Sequence, residues 1–149
     1  MIGIIDYDAG NIKSVEKALQ YLGQETVVSR DPQVLLKADK VILPGVGSFG
    51  DAMENLNKYG LVPVIHEIVE KGTPFLGICL GLQLLFERGD EGVPEDAPAA
   101  LAEDAMGSNL APAEVFEASS KRWTRGLGVL SGSCSRLEST RLKVPHVGW

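Results

Sequence analysis

The sequence predicts an α/β fold, a mostly parallel sheet flanked by helices. Three observations carry that prediction: apolar runs alternate with helical patterns, the runs are almost uniformly apolar, and glycines close the elements. "IGIID" (2–6) opens the chain as a strand, and Ile12, Val15, Ala18, Leu19 and Leu22 then fall on one face of a helix that stops at Gly23. "ETVVS" (25–29), "KVILPG" (40–45) and "FLGIC" (75–79) read as three more strands, apolar on both faces as buried parallel strands are. Two helices lie between the third and fourth strands, "DAMENLNKY" (51–59) and "LVPVIHEIVEKG" (61–72). The second sets Leu61, Val64, Ile65, Ile68 and Val69 at helical spacing before a glycine stop. A further helix is predicted from Leu80 through "LGLQLLFER" (80–88).

The pattern then changes. Residues 88–125 are rich in Ala, Pro, Asp, Glu and Ser with little periodicity, and read as a low-complexity insertion or loop inside a single domain spanning 1–149. Regular patterning resumes in "LGVLSGSCSRL" (127–137) and "LKVPHVGW" (142–149), expected as strands of a second, mixed part of the sheet.

Composition narrows the function classes. A chain of 149 residues, 44% hydrophobic and 23% charged, is that of an ordinary globular domain. No apolar run approaches the ~20 residues a membrane helix needs, so no membrane association is expected. A net charge of −6 without any lysine or arginine block argues against a nucleic-acid partner. The start, "MIGIIDYDAGN", has neither a basic leader nor a cleavage signal and reads as a cytoplasmic N-terminus. Two cysteines, Cys79 and Cys134, are too few for a disulfide framework, and no zinc-ligand spacing surrounds either. Neither a metal nor another cofactor is implied.

Cys79 falls where strand meets helix, at the carboxyl end of a parallel strand, where open α/β sheets gather their functional groups. Gly77-Ile78-Cys79-Leu80-Gly81 has the nucleophile-elbow spacing with Cys in place of Ser: the flanking glycines permit a tight strand-to-helix turn and the close backbone approach it requires. A following helix N-terminus favours the thiolate, the attacking species. The competing possibility is a small buried hydrophobe, the usual state of an intracellular cysteine. Cys134, in "SGSCSRL", lacks such a turn and is given no role. "LPGVGSFGDAM" (43–53) follows the strand expected beside that of Cys79, and its glycines let backbone amides face a ligand, as an oxyanion site needs.

"PGVGSFGDAM", "GICLGLQLLFE" and "KVPHVGW", in this order behind "IGIIDYDAGN", closely resemble the glutaminase subunits of imidazole glycerol phosphate synthase, a family of class I (triad) glutamine amidotransferases. The similarity runs almost continuously over 1–87 and more loosely over 126–149. It implies a flavodoxin-like class I glutamine amidotransferase fold, incomplete at its C-terminus, in which Cys79 attacks the side-chain amide of glutamine. The resemblance further implies that the amides of Val46 and Leu80 form the oxyanion hole and that Gly47 and Gln83 contact glutamine. Gln83 lies four residues after Cys79, on the same helix face, although a polar residue on a solvated face would look the same. In that family ammonia passes to a cyclase barrel subunit, the heterodimer partner, which makes imidazole glycerol phosphate and an aminoimidazole carboxamide ribotide in histidine biosynthesis. Asn11, Pro145 and Trp149 match positions at that interface; a tryptophan in a terminal strand is as often core.

A cysteine nucleophile needs a base, normally His oriented by a carboxylate. The chain has two histidines. His66 sits beside Glu67 on the polar side of its helix and is expected to be solvated; His146 belongs to "PHVGW", whose family counterpart is not the base. The family's His-x-Glu pair comes later than Trp149, so the chain alone is expected to turn over glutamine negligibly. Two other functions fit the same elbow: another triad amidotransferase or cysteine hydrolase, against which "PGVGSFGDAM" with "PHVGW" argues, and a non-catalytic partner-binding module.

Overall fold

The computed structural model describes residues 1–93, 100–101, 115–118 and 121–136. Its first half is a βα alternation: β1 (Ile2–Ile5), α1 (Ile12–Tyr21), β2 (Thr26–Ser29), α2 (Pro32–Leu35), β3 (Lys40–Leu43), α3 (Phe49–Lys58), α4 (Leu61–Glu70) and β4 (Phe75–Gly77). These four strands form one parallel sheet in the order β2-β1-β3-β4. That is the start of the flavodoxin-like winding, whose strand order reverses between β1 and β3 and opens a crevice at their carboxyl ends.

The helices begin and end where their side chains dictate. Asp31 caps α2 by accepting the Gln33 N–H at 2.8 Å, with Pro32 at the first helical position, where its missing N–H costs nothing. Ser48 caps α3, accepting from the Asp51 N–H at 3.3 Å. Gly23, with φ 71, stops α1 by donating to the Gln20 carbonyl. α4 buries Leu61, Val62, Val64, Ile65 and Ile68, and α3 buries Phe49, Ala52, Met53 and Leu56. These pack with Ile5, Val41 and Leu43 of the sheet in one core, each fully buried Leu or Ile contributing about 1.5–3 kcal/mol. On the opposite face the row Ile4, Ile42, Leu76, set side by side by the strand register, goes from 0% through 6% to 55% exposed.

The predicted helix at 80–88 is the clearest departure. Only one turn forms, α5 (Leu80–Gln83), and the chain turns at once into β5 (Phe86–Gly89). The backbone there is claimed from a distance: the Leu84, Leu85 and Glu87 carbonyls accept from Leu127, Leu130 and Gly126, each at 2.8 Å. A helix continuing through Arg88 would pair the Leu84 carbonyl with the Arg88 N–H and leave the Leu85 and Glu87 carbonyls in its last turn without an intrahelical donor, whereas here the chain at 126–130 takes all three. β5 joins a second sheet, in the order β6-β7-β8-β5-β9, with β6 (Ala100–Leu101), β7 (Val115–Ala118), β8 (Lys121–Arg125) and β9 (Leu130–Cys134). The described parts of 88–125, expected as loop, are therefore largely strand. This sheet is mixed, β5 running antiparallel to β8 and parallel to β9. The strand expected at 142–149 lies outside the described residues.

Candidate active site

Cys79 follows Ile78 at the end of β4 with φ 55 and ψ −118, a backbone conformation L-residues avoid. Surroundings over-determine it. The Ile78 N–H donates to the Leu43 carbonyl at 3.0 Å, continuing the β3–β4 pairing, and the Cys79 carbonyl accepts from Leu82 and Gln83 as α5 begins. Cys79 is exposed, which removes the alternative of a buried filler.

The glycine bracket is a steric necessity. A Cβ at Gly81 would collide with the Leu43 carbonyl, and one at Gly77 would stand 2.6 Å from Leu82 Cα. Across from the elbow, a Cβ at Gly45 would lie 2.5 Å from the Gly81 nitrogen and 2.9 Å from both Leu80 Cβ and the Tyr7 hydroxyl. Such distances are below any real Cβ contact, so the Pro44–Gly45 backbone and the elbow fit only as glycines. Beyond this contact the loop opens: Gly47 takes φ 101 with nothing near its Cβ position, and Val46 is 47% exposed. Among the described residues no acceptor takes the N–H of Val46, Gly47 or Leu80. Unpaired amides on two backbones pressed together beside an exposed thiol are the arrangement that can receive a developing oxyanion.

Sequence reasoning missed Tyr7. Its side chain is buried and its hydroxyl donates to the Pro44 carbonyl at 2.7 Å, fixing the near end of the "PGVG" loop. Burial pushes its phenol up to about 12. The only signal was its place in "IIDYDAGN", at the carboxyl end of β1.

The remaining expected site residues divide. Gln83 closes α5, half-buried, one turn beyond Cys79. Asn11 is exposed at the head of α1 with φ 65, its side-chain oxygen accepting from the Ser14 hydroxyl. Pro145, His146 and Trp149 lie outside the described residues. The α5 turn is also shorter than the helix expected to support the thiol.

The sequence matches the family described as "Glutamine amidotransferase class-I" over residues 3–122. The chain belongs to the class-I glutamine amidotransferases. Among curated members, it is 41% identical to the "Imidazole glycerol phosphate synthase subunit HisH" of Cyanothece sp. (strain PCC 7425 / ATCC 29141), with 100% of this chain and 57% of the relative covered. It is 45% identical to the protein of that name from Aquifex aeolicus (strain VF5), with 98% of this chain and 56% of the relative covered. The amidotransferase chain thus spans under two thirds of the length of the curated relatives it matches. A solved structure described as a glutamine amidotransferase superposes with a TM-score of 0.53 at 26% identity, over 63% of this chain and 49% of that one.

Two further side chains of this amidotransferase bear on its chemistry. His66, expected to be solvated, is half-buried on α4, beside Glu67, which pairs with Lys71 at 2.6 Å. Cys134 is half-buried, its Sγ 3.8 Å from the Gln83 carbonyl oxygen; burial, then the Asp90 carboxylate, push its thiol up, away from the reactive thiolate. No helix among the described residues is long and apolar enough to cross a membrane.

Proposed function

We infer that this chain carries the thiol half of a glutaminase subunit that feeds ammonia to a synthase partner in histidine biosynthesis, in the cytoplasm. The observation that carries the reading is the exposed Cys79 on a positive-φ elbow, with amides at Leu80 and on the Val46–Gly47 loop that have no acceptor among the described residues. The Cys79 thiolate adds to the amide carbon of glutamine, and the Val46 and Leu80 N–H groups receive the charge that moves onto oxygen. The amide nitrogen takes a proton, here from water, as the adduct collapses, so that ammonia leaves and a glutamyl thioester remains on sulfur. Water then adds to the thioester and releases glutamate. Gly47 and Gln83 hold the glutamine; Asn11, Pro145 and Trp149 face the cyclase barrel that consumes the ammonia.

Proton transfer is the weak step. Neither His66 nor His146 corresponds to the family's base, and general acid–base catalysis contributes roughly 10²–10⁴-fold. The 149-residue chain is therefore expected to consume glutamine negligibly, while Cys79 still reacts with an electrophile shaped like glutamine. Glutamate release and Cys79 labelling are measured on the wild-type chain and on Cys79→Ala. Labelling without turnover, abolished by the substitution, supports the reading. Sustained turnover lost on Cys79→Ala refutes the missing-base account, and labelling no faster than that of a free thiol refutes the glutaminase site.

A further inference from the structure

The turn between β1 and α1 touches the "PGVG" loop twice, through the Tyr7 hydroxyl on the Pro44 carbonyl and through Gly10, where a Cβ would stand 2.8 Å from Val46 Cγ2. Two of its residues, Asp8 and Asn11, take left-handed φ values of 63 and 65, a conformation Asp and Asn reach more readily than other non-glycine residues but at a cost that local contacts must offset. What holds Asp8 comes from two distant segments. Arg30, just past β2, sets Nη2 2.7 Å from Asp8 Oδ1 and 2.8 Å from Asp6 Oδ2. Tyr59, at the C-cap of α3, donates its hydroxyl to the other Asp8 oxygen, and the Arg30 guanidinium lies over its ring, 4.1 Å from the centroid. Lys58 adds its ammonium 5.1 Å from the same ring. The Tyr59 hydroxyl, then Arg30, hold the Asp8 carboxyl below the usual range, so it stays an ionised acceptor.

An isolated surface ion pair would do little. Here one guanidinium bridges two carboxylates of a single turn while stacking on the ring that hydrogen-bonds one of them, so three segments are fixed together at the carboxyl edge of the sheet. We propose that Asp8, Arg30 and Tyr59 are positioning residues for oxyanion stabilisation: they hold the Asp6–Asn11 turn so that Gly10 seats Val46, and with it the Val46 N–H, beside the elbow. The inference rests on the glutaminase reading of that elbow.

Two electrophiles separate positioning from folding in the full chain. Iodoacetamide needs only an exposed thiol, whereas a chloromethyl ketone built on the glutamine skeleton also needs its carbonyl oxygen received by the loop amides. The ratio of their second-order rates at Cys79 reads the loop. Tyr59→Phe keeps the ring under Arg30 but removes the hydroxyl, and Asp8→Gly suits the left-handed backbone while removing the tie. Both are expected to lower the ratio about tenfold with the iodoacetamide rate little changed, since small misplacements at a reacting centre cost this much or more. Arg30→Met is expected to do the same, and Arg30→Lys to recover it only in part, because an ammonium can reach the two carboxylates but does not stack on the Tyr59 ring as the planar guanidinium does. A ratio within twofold of wild type in Tyr59→Phe and Asp8→Gly overturns the proposal, and these two variants carry the test should Arg30→Met fail to fold. A wild-type chain with no preference for the glutamine-shaped reagent overturns the glutaminase reading and this proposal with it.

Discussion

Tyr7 shows what a single hydroxyl contributes. Replacing it by Phe leaves the Pro44 carbonyl without its donor, a loss of about 1 kcal/mol in urea unfolding. The phenol also ties stability to alkaline pH. Its pKa is raised from 10.0 to about 12 by burial, so below pH 10 folded and unfolded chains are both protonated and its contribution is complete. As pH rises from 10 toward about 12, the unfolded chain gives up the proton that the folded chain keeps, and stability falls. Ultraviolet titration should show the Tyr7 phenol ionising late, together with unfolding. In Tyr7→Phe the late phenol should vanish and alkaline unfolding should move to higher pH; an unchanged titration would contradict the assignment.

At the scale of elements, α1 and α4 have equal lengths and unequal anchoring. α4 buries five side chains, whereas α1 buries none, its apolar side only half covered and Tyr21 and Leu22 at its end exposed. Hydrogen exchange should find α1 amides opening locally, well below the global unfolding free energy, and α4 amides among the slowest. Equal protection of the two helices would contradict this. Both helices and the four parallel strands were legible in the sequence because their signals are local: apolar periodicity, apolar runs and glycine stops. The elbow and the "PGVG" loop were legible for a related reason, since backbones that touch must be glycine. The stretch after Gln83 was not. Its leucines suit a helix, and only partners some forty residues away, at Gly126, Leu127 and Leu130, take its carbonyls into a second sheet. Separation along the chain likewise hid the Tyr7–Pro44 bond, 37 residues apart, and the reach of Arg30 to Asp6 and Asp8, 24 and 22 residues away, as no local pattern marks such contacts.

For the whole molecule, β4 ends the order of the parallel sheet. Among the described residues it pairs only with β3, and Leu76 on it is 55% exposed at the end of a row that begins with the wholly buried Ile4. A strand edge that has no further partner among the described residues, beside exposed leucine, is a template for association. The 149-residue chain should self-associate as concentration rises, and Leu76→Lys should shift it toward monomer while changing unfolding free energy by no more than about 0.5 kcal/mol. Light scattering across a concentration series measures the first effect and urea unfolding the second. Association unaffected by Leu76→Lys would place the sticky surface elsewhere.

The backbone of Cys79 has a consequence for how such a protein could drift. At φ 55 and ψ −118, glycine is the residue the chain would prefer, so Cys79→Gly relieves strain that the cysteine must bear. A library sorted for thermal endurance alone would therefore enrich glycine at 79, and its hardiest survivors would be those that had discarded the thiol.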